Sequence, residues 1–91
     1  MQCYIYKSAK KEGMYIYLPK RDVFTEIPED LLNTMGKLSL ALILKLTPER
    51  KLQKEDAATV IENLASQGYH VQVPESLASW LVQYNSRQSE S

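Results

Sequence analysis

Side chains suited to covalent or metal chemistry are scarce in this 91-residue sequence, which has one cysteine, Cys3, and one histidine, His70. A single cysteine excludes an internal disulfide and a cysteine-rich metal site. The three glycines stand far apart, so none belongs to a glycine-rich loop of the kind that binds phosphate. We therefore expect no cofactor.

Excess charge and long apolar runs are lacking too. The 11 lysines and arginines match the 11 aspartates and glutamates, so the sequence lacks the basic surplus that is typical of domains that bind nucleic acid through its phosphates. No apolar run approaches membrane-spanning length, and no charged-then-apolar segment of the signal-peptide kind precedes the first strand-like stretch. We expect a cytoplasmic protein that contacts no membrane.

The charges are unevenly distributed along the chain. Residues 1–24 carry a net charge of +3, residues 25–36 carry −3, residues 37–54 carry +4 and residues 55–91 carry −4. We expect these blocks to form solvated faces whose opposite charges become neighbours on folding. The local segregation also keeps nucleic-acid binding open as an alternative.

The most apolar run, Leu38 to Leu46, has leucine at every even position. Successive side chains of a strand point to opposite faces, so a strand here presents five leucines on one face. Because the other face is also largely apolar, we predict a central strand inside the sheet, with Leu42 buried. A buried helix is the alternative, but the period of two and the eleven residues between Gly36 and Pro48 favour a strand.

Two alternating stretches, residues 3–7 and 14–18, are rich in strand-favouring residues, and the polar loop between them ends at Gly13. We predict an antiparallel hairpin in which the numbers of paired residues sum to 21. This register leaves one face aliphatic and gathers four tyrosines on the other, namely Tyr4, Tyr6, Tyr15 and Tyr17.

The remaining elements complete an α+β domain. Apolar residues recur at helical spacing, or alternate as in a strand, over four further stretches: helices at 28–36, 54–67 and 75–84, and a strand at 69–73. The predicted fold is a single compact domain over residues 1–84, with the element order ββαβαβα, a four-stranded sheet and helices packed on it. Residues 85–91 are predicted to form a disordered C-terminal tail.

Cys3 and His70 are the one pair that thiol–imidazole catalysis could use. We expect Cys3 on the aliphatic face of the hairpin and His70 partly exposed on its strand, with no third residue to orient the imidazole. Helix-start preference and solvation account for a local group of acidic residues without a metal, namely Asp22, Glu26, Glu29 and Asp30. The sequence favours neither a metal site nor an enzyme.

The strongest functional signal is a candidate interaction surface in which the predicted tyrosine face lies beside basic residues. Aromatic rings flanked by cations can stack nucleic-acid bases or anchor a protein partner. Alternatively, the last helix covers the tyrosines with its apolar stripe and leaves the loop and rim residues for a partner; we favour this coverage. The predicted surface comprises Tyr4, Tyr6, Lys7, Lys10, Lys11, Tyr15, Tyr17, Lys20 and Arg21.

Four spaced motifs follow one another along the chain: Cys3-x-x-Tyr6-Lys7-Ser8, Tyr15-x-Tyr17, Ile27-Pro28-x-x-Leu31-Leu32 and Gly68-Tyr69-x-x-Gln72-x-Pro74. With these motifs the chain resembles, over residues 2–74, the YcgL domain family, small bacterial proteins of poorly defined function. Two differences are Met35, where the family usually has Phe, and a single proline at 74, where it often has two. The resemblance implies a small α+β fold in the bacterial cytoplasm and brings no catalytic residues.

These observations favour a non-enzymatic protein-interaction or regulatory module whose partner is another protein. The alternative is a weak single-stranded nucleic-acid binder that uses the same tyrosine and lysine surface. Salt dependence would separate the two, because phosphate contacts weaken steeply as the ionic strength rises.

Overall fold

The computed structural model describes residues 1–52 and 55–74, which form four strands and two helices. The strands form one antiparallel sheet in the order β3-β1-β2-β4, and the predicted α+β fold is confirmed. The last predicted helix, at 75–84, and the predicted tail, at 85–91, lie outside the described residues. The elements are β1 Gln2–Ser8, β2 Tyr15–Leu18, α1 Glu29–Met35, β3 Leu38–Lys45, α2 Ala57–Ser66 and β4 His70–Gln72.

β1 lies inside the sheet because it pairs with β2 on one side and with β3 on the other. β3 extends alongside β1 from Ser8 opposite Leu38 to Gln2 opposite Lys45, and it is an edge strand of the sheet formed by residues 1–52 and 55–74. The prediction that the leucine-rich strand lies inside the sheet is therefore wrong. Leu42 is 52% exposed, so the expectation that this side chain is buried is wrong as well.

A β-bulge in β3 divides its leucines between the two faces of the sheet. Along β1, Ile5 lies opposite Leu42. The next residue, Tyr6, lies opposite Leu40, which leaves Ala41 without a partner in β1. Because side chains alternate along a strand, this extra residue reverses the face that later side chains occupy. The predicted face of five leucines is not formed: Leu38 and Leu40 pack in one core layer, and Leu44 and Leu46 pack in the other.

The β1–β2 hairpin adopts a register one residue away from the predicted one. Tyr6 lies opposite Ile16, so the numbers of paired residues sum to 22. The difference arises at the loop, where the Ser8 backbone N–H donates to the Met14 carbonyl oxygen at 3.0 Å and leaves a five-residue connection, residues 9–13. The predicted tyrosine face is therefore wrong, because Tyr4 and Tyr6 lie in the layer beneath α1, and Tyr15 and Tyr17 lie in the layer beneath α2.

Each face of the sheet is packed against one helix. α1 contributes Leu31 and Met35 to the first layer, and α2 contributes Val60 and Leu64 to the second. Tyrosine suits both interiors, because its ring packs with apolar side chains while its hydroxyl finds a polar partner at the rim. A face of the sheet therefore does not have to be purely aliphatic in order to be buried. The predicted and the observed registers of the hairpin are both compatible with burial of its tyrosines.

The first two predicted helices and the fourth strand are confirmed with small changes in their ends. α2 begins after Asp56, whose Oδ2 accepts hydrogen bonds from the Thr59 backbone N–H at 3.2 Å and from its hydroxyl at 2.8 Å. This side chain satisfies one of the unpaired N–H groups at the helix start. Gly68, with a φ of +88°, turns the chain from α2 into β4.

Tyr6 and Asp22 form a reciprocal pair of hydrogen bonds. The Tyr6 hydroxyl donates to Oδ1 of Asp22 at 2.9 Å and accepts from the Asp22 backbone N–H at 2.7 Å. Asp22 has a φ of +59°, in the left-handed region that most residues avoid. The buried hydroxyl therefore holds the connection after β2 in an otherwise unfavourable conformation.

Two matched leucine variants test the position of β3. Leu18→Ala removes a fully buried side chain from β2 and should lower the free energy of unfolding by about 2–5 kcal/mol. Leu42→Ala removes a half-exposed side chain from the edge strand and should cost less than about 1 kcal/mol. Urea denaturation measures both values. Equal losses would contradict the edge position of β3.

Urea denaturation can also test how much the Tyr6 hydroxyl contributes to the free energy of unfolding. Tyr6→Phe keeps the ring but removes both hydrogen bonds to Asp22, and it should destabilise the fold by about 1 kcal/mol. Tyr4→Phe is the matched control, since no hydrogen bond links the Tyr4 hydroxyl to another described residue, and its cost should stay below about 0.5 kcal/mol. A Tyr6→Phe variant as stable as this control would show that the hydroxyl does not hold the turn.

Candidate interaction surface

The structure separates the aromatic residues of the predicted interaction surface. Tyr6 and Tyr17 are buried. Tyr4 and Tyr15 are half-buried and lie on opposite faces of the sheet. The Tyr17 hydroxyl donates to Oε1 of Gln72 at 2.6 Å, and burial raises the pKa of Tyr17. The hairpin thus presents no continuous strip of tyrosines to solvent.

The basic residues of the predicted surface are exposed but do not converge on one site. Lys10 donates from Nζ to a carbonyl oxygen of α1 at 3.2 Å, and Arg21 contacts the neighbouring carboxylate at 4.0 Å. The five residues fall into two groups, with Lys7, Lys10 and Lys11 around the hairpin loop and Lys20 and Arg21 in the connection after β2.

An apolar groove of about 440 Å³ opens on the α2 side of the sheet. The bulge in β3 places Leu42 at one wall of this groove, and β4 supplies Gln72 at the opposite wall. The groove is lined by Ile5, Tyr15, Tyr17, Ala41, Leu42, Leu44, Leu52 and Gln72.

The outer edge of β3 borders the groove. Among residues 1–52 and 55–74, β1 is the one strand that pairs with β3, so the backbone groups on the far side of β3 have no strand partner there. Leu42 and Ile43 are 52% and 39% exposed, and they point to opposite faces because they are adjacent in a strand. We define the β3 surface as the outer edge of β3 together with this groove.

The sequence identified the residues of β3 as apolar but not as a surface. Their burial was expected because both faces of the run are apolar, as in a central strand. The edge position follows from the order of the strands, and no glycine or proline marks the bulge in the sequence. Ala41, the bulged residue, resembles its neighbours in polarity.

His70 lies in a closed hydrogen-bond network and not on the surface. It is 2% exposed, so the expectation of partial exposure is wrong. The amide Nδ2 of Asn63 donates to His70 Nδ1 at 2.9 Å, which leaves the proton on Nε2, and Nε2 donates to Oε1 of Glu55 at 2.7 Å. The ring also meets Tyr17 edge-on with centroids 5.3 Å apart. Both ring nitrogens are occupied, and the network joins β4 to α2.

Cys3 is buried in the α2-side core layer. Burial raises the pKa of its thiol to about 12, although a backbone hydrogen bond with Leu18 acts in the opposite direction. The thiolate is the nucleophilic form of cysteine, so this thiol is inert near neutral pH. Since the imidazole of His70 bonds to Asn63 and Glu55, it does not activate Cys3.

The described part of the chain brings together no group of three or more histidine, cysteine or acidic side chains that could hold a metal ion. The acidic residues Asp22, Glu26, Glu29 and Asp30 form no such group. The helices of the same residues are all too short or too polar to cross a membrane.

Comparisons with known proteins confirm the resemblance noted in the sequence. The model of a family described as "YcgL domain" matches residues 3–75. A YcgL domain-containing protein of Pseudomonas fluorescens (strain SBW25) is 53% identical over 72 residues, which cover 79% of this chain and 74% of that protein. A YcgL domain-containing protein of Saccharophagus degradans (strain 2-40) is 42% identical over 77 residues, which cover 85% of each chain.

Burial predicts that Cys3 reacts with thiol reagents only after unfolding. Its pKa rises from an ordinary 9.0 to about 12, so the thiolate fraction at pH 8 is about a thousandfold lower in the folded protein. We expect Ellman's reagent to react at least about 100-fold more slowly with the native chain than with the guanidinium-denatured chain. Cys3→Ala provides the blank.

The same pKa shift gives a pH dependence of stability. The folded state favours the protonated thiol of Cys3. Its contribution to the free energy of unfolding is therefore fully present below pH 9 and is lost as the pH rises towards 12. The free energy of unfolding of Cys3→Ala should therefore fall less steeply than that of the wild-type chain between pH 9 and pH 12.

In the experiment with Ellman's reagent, rapid modification of the native thiol at pH 8 would contradict the burial of Cys3.

Proposed function

The chain belongs to the YcgL domain family, and we propose that it is a protein-interaction module in which an extended segment of a partner protein pairs with the outer edge of β3. The relatives' names state no activity, so the proposal rests on the geometry of the β3 surface. The observation that carries it is an eight-residue edge strand whose central side chains, Leu42 and Ile43, are exposed.

The backbone of β3 supports this mode of binding. An edge strand presents a row of N–H and C=O groups that a second extended chain can pair with, and this pairing gives affinity without a particular sequence. Ser39, Ala41 and Ile43 carry no charge, so the middle of the strand lacks the lysine that commonly blocks such pairing.

The side chains around β3 supply selectivity. Every second side chain of an added strand would lie on the α2 side, beside Leu42 and Leu44 and next to the groove. The alternate side chains would lie beside Ile43 on the other face. A partner with apolar residues at successive positions would bury apolar surface on both faces, at roughly 25 cal/mol per Å².

A binding role also agrees with the state of the reactive side chains. Cys3 is buried with a raised pKa, and both ring nitrogens of His70 are hydrogen-bonded. Each of these residues stabilises a core layer and is unavailable to a substrate. The proposed module is therefore non-enzymatic.

Single-stranded nucleic acid is not favoured by the structure. Binding of that kind uses aromatic side chains on one platform, where successive bases stack. The four tyrosines of the hairpin are divided between two faces, and two of them are buried. The exposed lysines remain, but they lack the stacking surface that gave this alternative its support.

Affinity capture with two matched variants tests the proposal. The tagged wild-type chain, Leu42→Glu and Val23→Glu are each used to capture partners from an extract of the native cells, with and without nuclease. Leu42 and Val23 are 52% and 42% exposed, so both variants should fold, but Val23 lies outside β3. We expect one partner protein to be captured equally by wild type and Val23→Glu, and at least about tenfold less by Leu42→Glu, since a buried leucine contributes about 1.5–3 kcal/mol.

Two results would overturn the proposal. Equal capture by Leu42→Glu would show that the partner does not use β3. Capture that disappears with nuclease and falls steeply with salt would indicate nucleic acid as the ligand.

A further inference from the structure

We infer that the segment recognised by β3 has an apolar centre and an acidic residue near each end. This inference rests on the proposed function of the β3 surface and specifies the chemistry of its partner. It follows from the placement of positive charge at the two ends of β3 and from the uncharged stretch between them.

Positive charge gathers at the Leu38 end of β3. Lys37 directly precedes the strand, and Lys7 lies opposite Ser39 on the neighbouring strand. The Ala9 backbone N–H donates to the Lys37 carbonyl oxygen at 3.0 Å, which brings the hairpin loop and its lysines to the same end. This end therefore holds side chains from two of the basic blocks of the sequence.

The opposite end of β3 is basic as well. Lys45 is the last residue of the strand, and Arg50 folds back to donate from its guanidinium to the Lys45 carbonyl oxygen at 3.3 Å. Lys51 follows in the same turn and forms a backbone bridge with Asp56. The Asp56 carboxylate is turned towards Thr59 to cap α2, and Glu49 is the remaining acidic residue of the turn.

Within the part of the chain that the structure describes, no ion pair neutralises these cations. The ion pairs found in residues 1–52 and 55–74 are Arg21 with Asp22 and His70 with Glu55, and neither involves a cation at the ends of β3. A partner that brings acidic side chains to both ends would supply counter-charges to these cations.

The same charges argue against a second copy of this chain as the occupant. In a two-fold antiparallel pairing of β3 with itself, the Lys37 end of one copy would meet the Lys45 end of the other. Both ends are basic, so like charges would be juxtaposed twice. An acidic-flanked segment avoids this repulsion and gains attraction in its place.

The bulge fixes the spacing of the acidic residues. Lys37 and Lys45 are eight positions apart in the sequence, but the residues that meet them, Ala9 and Gln2, are seven apart because Ala41 is extra. A regular strand on the outer edge of β3 spans the same distance, so its acidic residues should also lie about seven positions apart.

A displayed library of random 12-residue peptides, selected against the full chain at low salt, tests this inference. We expect enriched peptides with apolar residues at successive central positions, between two aspartate or glutamate positions that are about seven apart. The selection is repeated on Leu42→Glu, which should enrich no such peptides.

Two single charge reversals, Lys45→Glu and Lys20→Glu, are matched in net charge. Lys45→Glu should abolish the acidic preference at one end of the peptide, keep it at the other, and weaken the selected peptides up to about fivefold. Lys20→Glu, in the connection after β2, should leave both preferences intact.

The possible results separate this inference from the proposed function. Peptides with successive apolar residues but no acidic ends, lost on Leu42→Glu, would overturn the charge pattern and leave strand pairing at β3 intact. Equal weakening by Lys45→Glu and Lys20→Glu would show a net-charge effect and likewise overturn the inference. Peptides with helical apolar spacing, or no enrichment, would overturn strand pairing itself.

Discussion

The pairing of β1 on both sides is the constraint on which the rest of this domain depends. β1 takes β2 and β3 as neighbours and β2 also pairs with β4, so β3 and β4 are the two edges among the described strands. The hairpin loop fixes β1 against β2, and the bulge at Ala41 adjusts β3 to β1. Together these two local features determine which side of every strand meets α1 and which side meets α2.

A helix packs on each face of the sheet, and this packing explains why the hairpin contains four tyrosines. An aliphatic side chain in the same place would fill the core, but it would leave the polar groups at its rim without a partner. Tyr6 instead holds the turn at Asp22, and Tyr17 joins β2 to β4 through Gln72. The rings contribute burial and the hydroxyls contribute connections between neighbouring elements. Tyrosines that resemble a binding strip in the sequence are therefore structural in the fold.

Local patterns predicted the elements well, because each element depends on residues close together in the sequence. The strand at Leu38–Lys45 and the helix at Ala57–Ser66 follow from periods of two and 3.6 residues. The family followed from spaced motifs along the chain. Register did not follow, because moving Tyr6 from opposite Tyr15 to opposite Ile16 requires a change of only one residue in the loop.

Local patterns did not predict which strands lie at the edges of the sheet or which residues form the site, because both depend on residues that are distant in the sequence. Leu42 and Leu18 are both leucines in strand-like stretches, yet Leu42 is half-exposed and Leu18 is fully buried. The difference arises because the order of the strands is set by contacts between distant residues. His70 alternates like an exposed strand residue, but Glu55 and Asn63 enclose it from the helix side. The charge blocks were visible in the sequence, and their meeting at the ends of β3 depends on the antiparallel pairing of β1 with β3.

An apolar edge strand exposes a protein to unwanted pairing with its own copies. Charges placed along the strand would prevent this, but they would also prevent a partner from pairing. In this domain the lysines stand at the ends of β3, while Leu42 and Ile43 occupy its exposed middle. Cations in that position repel a second copy, whose ends are equally basic, and attract a segment with acidic ends. The same lysines can thus disfavour pairing with a second copy of the chain and favour pairing with a segment that has acidic ends.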